Sequence, residues 1–253
     1  MNDEPDILLR LLGPFGVVRR GCPLPLAEVG NRQARRLLAL LAIQPGRLVA
    51  VNRIVEVLWA DGVPRHPVAN VATLVSRLRA ALGGGIVRGD RRGGYRLGAG
   101  VRVDLHHAAD LVVRAEALLG AGETARALVT GRLGLAALEE SPVLTDERDS
   151  EWVQPARRLQ DHMLRRARHV VANAALAAGD PGGAVLAAEA AVAADPFDEA
   201  AHRILISAHH ARGDTVSALL AYERLRATLA EELGIDPARA TRDLHRAILR
   251  GVG

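Results

Sequence analysis

Two different periods divide the apolar positions of this chain. The run "ILLRLLGPFGVV", Ile7–Val18, is almost continuously apolar and is broken by Gly13-Pro14 and Gly16. Short apolar runs bounded by turn residues predict one or two strands with a turn between them. "CPLPL" is a further extended piece, because each Pro disfavours helix in the residue before it. The period then becomes helical. In "NRQARRLLALLAIQP", Ala34, Leu37, Leu38 and Leu41 share a face, Asn31 is placed to cap the helix and Pro45-Gly46 to stop it. "VNRIVEVLWADG" sets Ile54, Val55, Leu58 and Trp59 at similar spacing and ends at Gly62.

After the turn "VPRHP", Pro67 sits in the first turn of a third helix. Its Val71, Leu74, Val75, Leu78 and Leu82 follow the i, i+3, i+4, i+7, i+11 pattern, and Gly83-Gly84-Gly85 ends it. "GIVRGDRRGGYRLGAG" reads as two short β runs around a Gly- and Arg-rich turn, a hairpin. The order strands, helix, helix, turn, helix, hairpin predicts a winged helix-turn-helix with a small N-terminal sheet over residues 1–102.

From Val103 the pattern is almost wholly helical, and it repeats. "AAGDPGGAVLAAEAAVAADP" is echoed by "ARGDTVSALLAYERLRATLAEELGIDP", and Gly179-Asp180 and Gly213-Asp214 lie 34 residues apart. That is the tetratricopeptide (TPR) period. Each Gly suits a left-handed helix end and each Asp a cap for the next helix. Asp195-Pro196 and Asp236-Pro237 are expected to end the second helices. A weaker unit opens around Gly122-Glu123, and "EESPVLTDERDSEW" is expected to be a solvated or partner-facing acidic loop. Residues 103–253 are thus expected to form an all-α TPR-like domain. The fold class is mainly α, with an α+β N-terminal domain.

Composition agrees with helices: apolar residues make up 49% of the chain but aromatics only 2%, so Ala, Leu and Val must build the core. All 33 basic residues are Arg, with no Lys, a codon-bias signature that makes an arginine by itself weak evidence of guanidinium chemistry. The single cysteine, Cys22, excludes an internal disulfide and suits a reducing cytoplasm, as a small hydrophobe in a strand or loop. No apolar run reaches the ~18–20 residues that span a bilayer, and "MNDEPDILLRLLG" lacks the form of a signal peptide. A cytoplasmic, nucleoid-associated protein with no membrane partner is expected. Charge is divided unevenly. Residues 1–104 hold 16 Arg against 8 acidic residues, whereas the remainder holds 17 against 21. A basic first half suits a polyanion.

The polar side of the third helix carries the candidate chemistry. Opposite its apolar stripe lie Ala69, Asn70, Thr73, Ser76, Arg77 and Ala80, with Arg79 on a flank. Arg77 has the donors for guanine O6 and N7, Asn70 for an adenine edge, and Thr73 for a thymine. Ser76 and Arg79 suit phosphates. An ordinary solvated helix face gives the same pattern. The hairpin tips the balance, because Arg88, Arg91, Arg92 and Arg96 crowd its turn and repel one another unless an anion is present. Tyr95 is expected to anchor this wing to the core. Arg32, Arg35 and Arg36 stand near a helix N-terminus, a further phosphate site.

"NVATLVSRLRAALG", then "GGYRL", "VDL" and the ending "YERLRATLAEELGIDPARATRDLHRAILRG" together resemble the Streptomyces antibiotic regulatory protein (SARP) family. Its members join an OmpR/PhoB-type winged helix to a bacterial transcriptional activation domain. The resemblance covers nearly the whole chain. It implies a transcriptional activator that binds direct repeats in double-stranded promoter DNA as a homodimer or higher assembly. It further implies recruitment of RNA polymerase holoenzyme, through a sigma factor or the alpha subunit, and control of an antibiotic biosynthesis cluster. It also implies that Pro67–Leu82 is the recognition helix and Arg91–Tyr95 the wing. The chain departs from many members at Ala72 and Leu74, so the operator sequence does not carry over.

Enzymatic chemistry is not expected. The adjacent pairs His106-His107 and His209-His210 point about 100° apart on a helix, a poor chelate, and there is no H-E-x-x-H or G-x-S-x-G. Asp146, Glu147, Asp149 and Glu151 lack the spacing of a calcium loop. Without Lys there is no Walker motif, so no cofactor and no ATP are expected. Two other readings remain open: a TPR adaptor whose basic half binds RNA or an acidic protein, and a regulator whose helical array senses a small ligand.

Overall fold

The computed structural model describes residues 6–60, 62–147 and 150–251. The chain packs as two compact units, one taking the chain up to Ala109 together with Ala137–Asp161, the other Asp110–Ala136 together with His162–Gly253. The sequence division after residue 102 assigns 137–161 to the helical part, whereas these residues pack into the first unit. In that unit β1 (Ile7–Arg10), β2 (Gly16–Arg19), β3 (Cys22–Pro23) and, after a long excursion, β6 (Val101–Val103) form a sheet of order β3-β2-β1-β6. β1 pairs antiparallel with β2 and parallel with β6. The expected strands are present. β6 was not legible as a strand, because three residues bordering a helix carry no period of their own. Cys22 lies exposed on the edge strand β3.

The short α1 (Leu26–Val29) leads into α2 (Arg32–Ile43), whose N-terminal Ala34 amide donates to Asn31 Oδ1 at 3.0 Å, the expected cap. α3 (Val51–Leu58) and α4 (Pro67–Leu82) follow, then the hairpin β4 (Val87–Asp90) and β5 (Gly94–Leu97). Leu37, Leu38, Leu41, Ile54, Leu58, Val71, Val75 and Leu78 are all at most 1% exposed and form the shared core of the three helices. Tyr95, 3% exposed, exchanges two backbone hydrogen bonds with Val49, at 2.7 and 2.9 Å, and so ties the wing to the segment before α3. Gly94 makes this approach possible: its φ is +105°, and a Cβ there would run into the Val49 carbonyl.

Buried polar contacts lock the ends of this unit. The Asp104 carboxylate accepts from the amides of Leu11 (2.8 Å), Leu12 (3.1 Å) and Leu105 (2.7 Å). The acidic stretch is solvated only in part: Val143, Leu144 and Glu147 are buried, whereas Glu139, Glu140, Asp146 and Glu151 are exposed. Leu144 N donates to Leu11 O and Gly13 N to Pro142 O, adding this segment to the sheet's periphery. Asp146 accepts from the Phe15 amide. Glu147, 9% exposed, receives both Nε (2.7 Å) and Nη2 (2.6 Å) of Arg36, and the Ser150 hydroxyl donates to it at 2.9 Å. A fixed guanidinium facing an uncovered carboxylate draws the segment inward. Asp149 lies outside the described residues.

The second unit takes α5 (Asp104–Gly120) from Asp110, α6 (Thr124–Glu139) up to Ala136 and α7 (Gln154–Ala177) from His162, then α8 (Pro181–Ala194), α9 (Glu199–Ala211), α10 (Thr215–Leu233) and α11 (Arg239–Leu249). Asp180 and Asp214 cap α8 and α10 through the amides of Gly183 and Ser217, and Gly179 and Gly213 have φ of +79° and +77°. The repeat is therefore built as its spacing requires. α10 ends earlier than Asp236-Pro237 marks, at the left-handed Gly234. Ala184, Ala188, Ala208 and Ala218 are fully buried between neighbouring helices, where only small side chains allow so close a contact. Gly131 on α6 meets Val170 and Val171 of α7 for the same reason. α11 is held by Glu199, which accepts from Ala238 N and from the Thr241 hydroxyl at 2.6 Å, and by stacking of His245 on Tyr222 at 3.8 Å.

Burial pushes the Glu147 carboxyl up, but the hydrogen bonds from Arg36 and Ser150 and the charges of Arg36 and Arg32 outweigh it, leaving it below the ordinary glutamate range. Its contribution to stability is therefore present above that range and is lost as pH falls through the lowered value. Glu147→Gln is expected to cost about 2 kcal/mol at neutral pH, the scale of hydrogen bonds to a charged group. It should also flatten the loss of stability as pH falls below the ordinary glutamate range, as measured by urea unfolding across pH.

Candidate nucleic-acid interface

The site begins with α4. Its apolar stripe is buried and its opposite face is not: Thr73, Ser76, Arg77, Ala69 and Ala80 are exposed and Asn70 is half-buried. The Thr73 hydroxyl donates to Ala69 O at 3.0 Å, a bond within the helix. The Ala69 and Ala80 side chains keep this face low. The helix is fixed at its C-terminal end, where Nη2 of Arg19 donates to Ala81 O at 2.6 Å. Sequence reasoning missed this contact, since nothing in the local pattern links β2 to the end of α4.

Arg79 couples the helix to the wing. Its Nε donates to Val87 O and its Nη2 to Gly89 O, both at 3.0 Å. Expected at a phosphate, it instead spends its guanidinium on the backbone of β4, and the half-buried flank position of residue 79 explains why. At the tip, Asp90 accepts from the amides of Arg92 (2.7 Å) and Gly93 (2.9 Å), an Asx turn that shapes the loop. These backbone bonds from Gly93 and Arg92 outweigh slight burial and, with the charges of Arg92 and Arg91, hold the Asp90 carboxyl below its ordinary range. Arg91 and Arg92 are exposed beside it.

Arg88 and Arg96 are direct cross-strand partners in the hairpin register, and both are exposed. Like charges in that relation are destabilising. The wing therefore carries an electrostatic cost that a bound anion relieves. Burial raises the Tyr95 hydroxyl above its usual value, consistent with its place as the wing's anchor.

The α2 arginines form a separate group. Arg36 is committed to Glu147, and its side chain is 17% exposed. Arg35 donates to Gly30 O at 3.2 Å. Arg32, with a side chain 70% exposed, stands 3.9 Å from Glu147. The sequence reading set all three toward phosphate. Arg36 is instead structural, and Arg32 is the most open of the set. His106, one of the adjacent histidines, pairs with Ile43 O at 3.0 Å.

Comparison with known proteins adds family context to this geometry. The model of the bacterial transcriptional activator domain matches residues 103–249. Transcriptional regulatory protein MoaR1 of Mycobacterium tuberculosis is 32% identical over 260 residues, covering 96% of this chain and 79% of that protein. The chain belongs to the SARP family of transcriptional regulators. Regulatory protein DnrI of Streptomyces peucetius is 29% identical over 96% of this chain and 92% of its own length. Transcriptional regulatory protein EmbR of M. tuberculosis is 32% identical over 95% of the chain, but the chain spans 62% of EmbR's length. A solved structure of M. tuberculosis EmbR in complex with a low affinity phosphopeptide superposes with a TM-score of 0.84 at 30% identity, covering 99% of this family member and 66% of that chain. Among the described residues no helix is long and apolar enough to cross a membrane.

If Arg79 pins the wing to α4, Arg79→Ala should speed amide hydrogen exchange across Val87–Leu97 by about tenfold or more, the equivalent of losing roughly 1.4 kcal/mol of local stability. Exchange in α2 should be unchanged.

Proposed function

We propose that this SARP regulator is a sequence-specific duplex-DNA-binding activator. Residues 1–102 bind promoter DNA and 103–253 act as the activation domain. α4 enters the major groove, where Arg77, Asn70 and Thr73 read base edges and Ser76 touches phosphate. Arg91 and Arg92 reach the adjacent backbone or minor groove, and Arg96 with Arg88 grips phosphate across the wing. Arg32 adds a peripheral phosphate contact. Arg79 acts by setting the wing's angle, and Arg35 and Arg36 by holding the start of α2.

The observation that carries this reading is the outward face of α4: small or polar, mostly exposed and flanked by a wing on which the exposed Arg88 and Arg96 stand opposite one another. Family membership supports a regulator that works by positioning, without chemistry of its own. The TPR-like unit then presents its surfaces to a second copy on direct repeats and to RNA polymerase holoenzyme, at its sigma factor or alpha subunit. The protein works in the cytoplasm, on the nucleoid, and controls a biosynthetic gene cluster.

Arg77→Ala is expected to relax base preference at one operator position and to cost about 1–3 kcal/mol of specific binding. Arg92→Ala should weaken all duplexes nearly equally and reduce the salt slope by about one unit. Selection of preferred sequences from a random duplex pool, followed by affinity measurements across salt, checks both. An unchanged preferred sequence with Arg77→Ala, or equal competition by heparin and by the selected duplex, contradicts the reading.

A further inference from the structure

The second unit contains a groove that the DNA reading does not use. α8, α9 and α10 enclose a cavity of about 410 Å³. Its floor is the α9 stripe His202, Leu205 and His209, with Val192 of α8 and Ala221 of α10 beside it. This size and this mainly apolar lining are those of small-molecule sites.

Three polar features point to an occupant. His202 is 5% exposed, and its Nε2 lies 3.1 Å from the Pro196 carbonyl, which fixes the proton there and leaves Nδ1 as a lone-pair acceptor. Burial lowers its pKa, partly opposed by the Pro196 carbonyl and the charges of Asp198 and Glu199, so the ring is neutral at physiological pH. Its Nδ1 is shielded from water and has no hydrogen-bond partner. The same holds for His209 Nδ1, whose nearest carboxylate oxygen, on Asp214, is 3.9 Å away. Orphaned ring nitrogens on two residues that line one groove are a cost that a ligand donor can remove. On the rim, Glu189 of α8 and Arg224 of α10 face solvent from opposite walls.

We propose that this groove is a binding site for a small amphipathic molecule with an apolar body, an N–H or O–H donor and an anionic group. The body covers Leu205, Val192 and Ala221, the donor reaches His209 Nδ1 after rotation of that ring, and Arg224 takes the anion. The inference rests on the second unit alone and does not depend on DNA binding.

Anilinonaphthalene sulfonate carries all three features and serves as the probe. Titrated into the full chain, it is expected to bind saturably at one molecule per chain with a blue-shifted emission. Arg224→Glu should weaken binding by about tenfold, the scale of one lost rim charge contact. Ala193→Phe, an exposed rim position, should abolish binding by filling the mouth. Both substitutions are at the surface, and circular dichroism will confirm unchanged helix content. A second cavity, of about 800 Å³, lies beside the wing and is lined by Arg88 and Arg96, and loss of binding with Arg96→Glu would place the dye there instead. Binding that ignores both groove substitutions, or that is lost with Arg96→Glu, overturns the proposal.

Discussion

The packing of one side of α4 against α2 and α3 is the constraint on which the first unit depends. Val71, Val75 and Leu78 are buried so completely that the helix cannot roll about its axis without exposing them. Each such side chain contributes about 1.5–3 kcal/mol through burial. A fixed stripe on one side fixes what stands on the other, and so the half-buried Asn70 and the exposed Thr73, Ser76 and Arg77 have a defined direction. Arg19 at the helix end and Arg79 at the wing complete the arrangement with guanidinium-to-carbonyl bonds. In this unit the arginines divide into those that hold backbone or, in Arg36, a buried carboxylate in place and those that remain outward. That division, more than the total charge, gives the basic half its chemistry.

Where apolar period and turn chemistry act locally, the sequence was readable. The stripe of α4, the Asn31 cap, the Tyr95 anchor and the Gly-Asp corners of the repeat all follow from neighbouring residues. Contacts between distant residues were not readable. β6 joins β1 across more than ninety residues, and Asp104 caps the amides of Leu11 and Leu12 over a similar span. The acidic stretch around Glu147 has the composition of a solvated loop, and distant partners, Arg36 together with the backbone of Leu11 and Gly13, turn part of it inward. For the candidate site the same rule applies. The outward face of α4 was legible, whereas the separate fates of Arg36, Arg79 and Arg77 were not, because a guanidinium's partner is chosen in three dimensions.

The second unit shows how a chain nearly without aromatics builds a stable array. Alanine and glycine let helices approach closely, and specificity comes from short polar clasps at the corners: Asp180, Asp198 and Asp214 on amides, Glu199 on the start of α11. His169 adds a 2.7 Å contact to Asp198, tying α7 to the cap of α9. Such an array leaves large apolar side chains, Leu186, Val216 and Leu220 among them, on its surface.

The central claim is that α4's outward face and the wing tip act together on a duplex. Amide NMR of the full chain, titrated with the duplex it selects, tests this most directly. Shifts are expected to concentrate at Asn70, Thr73, Ser76, Arg77 and Arg91–Gly93, moving together at one stoichiometry. Shifts confined to one of these two elements, or centred on the helices of the second unit, would contradict it.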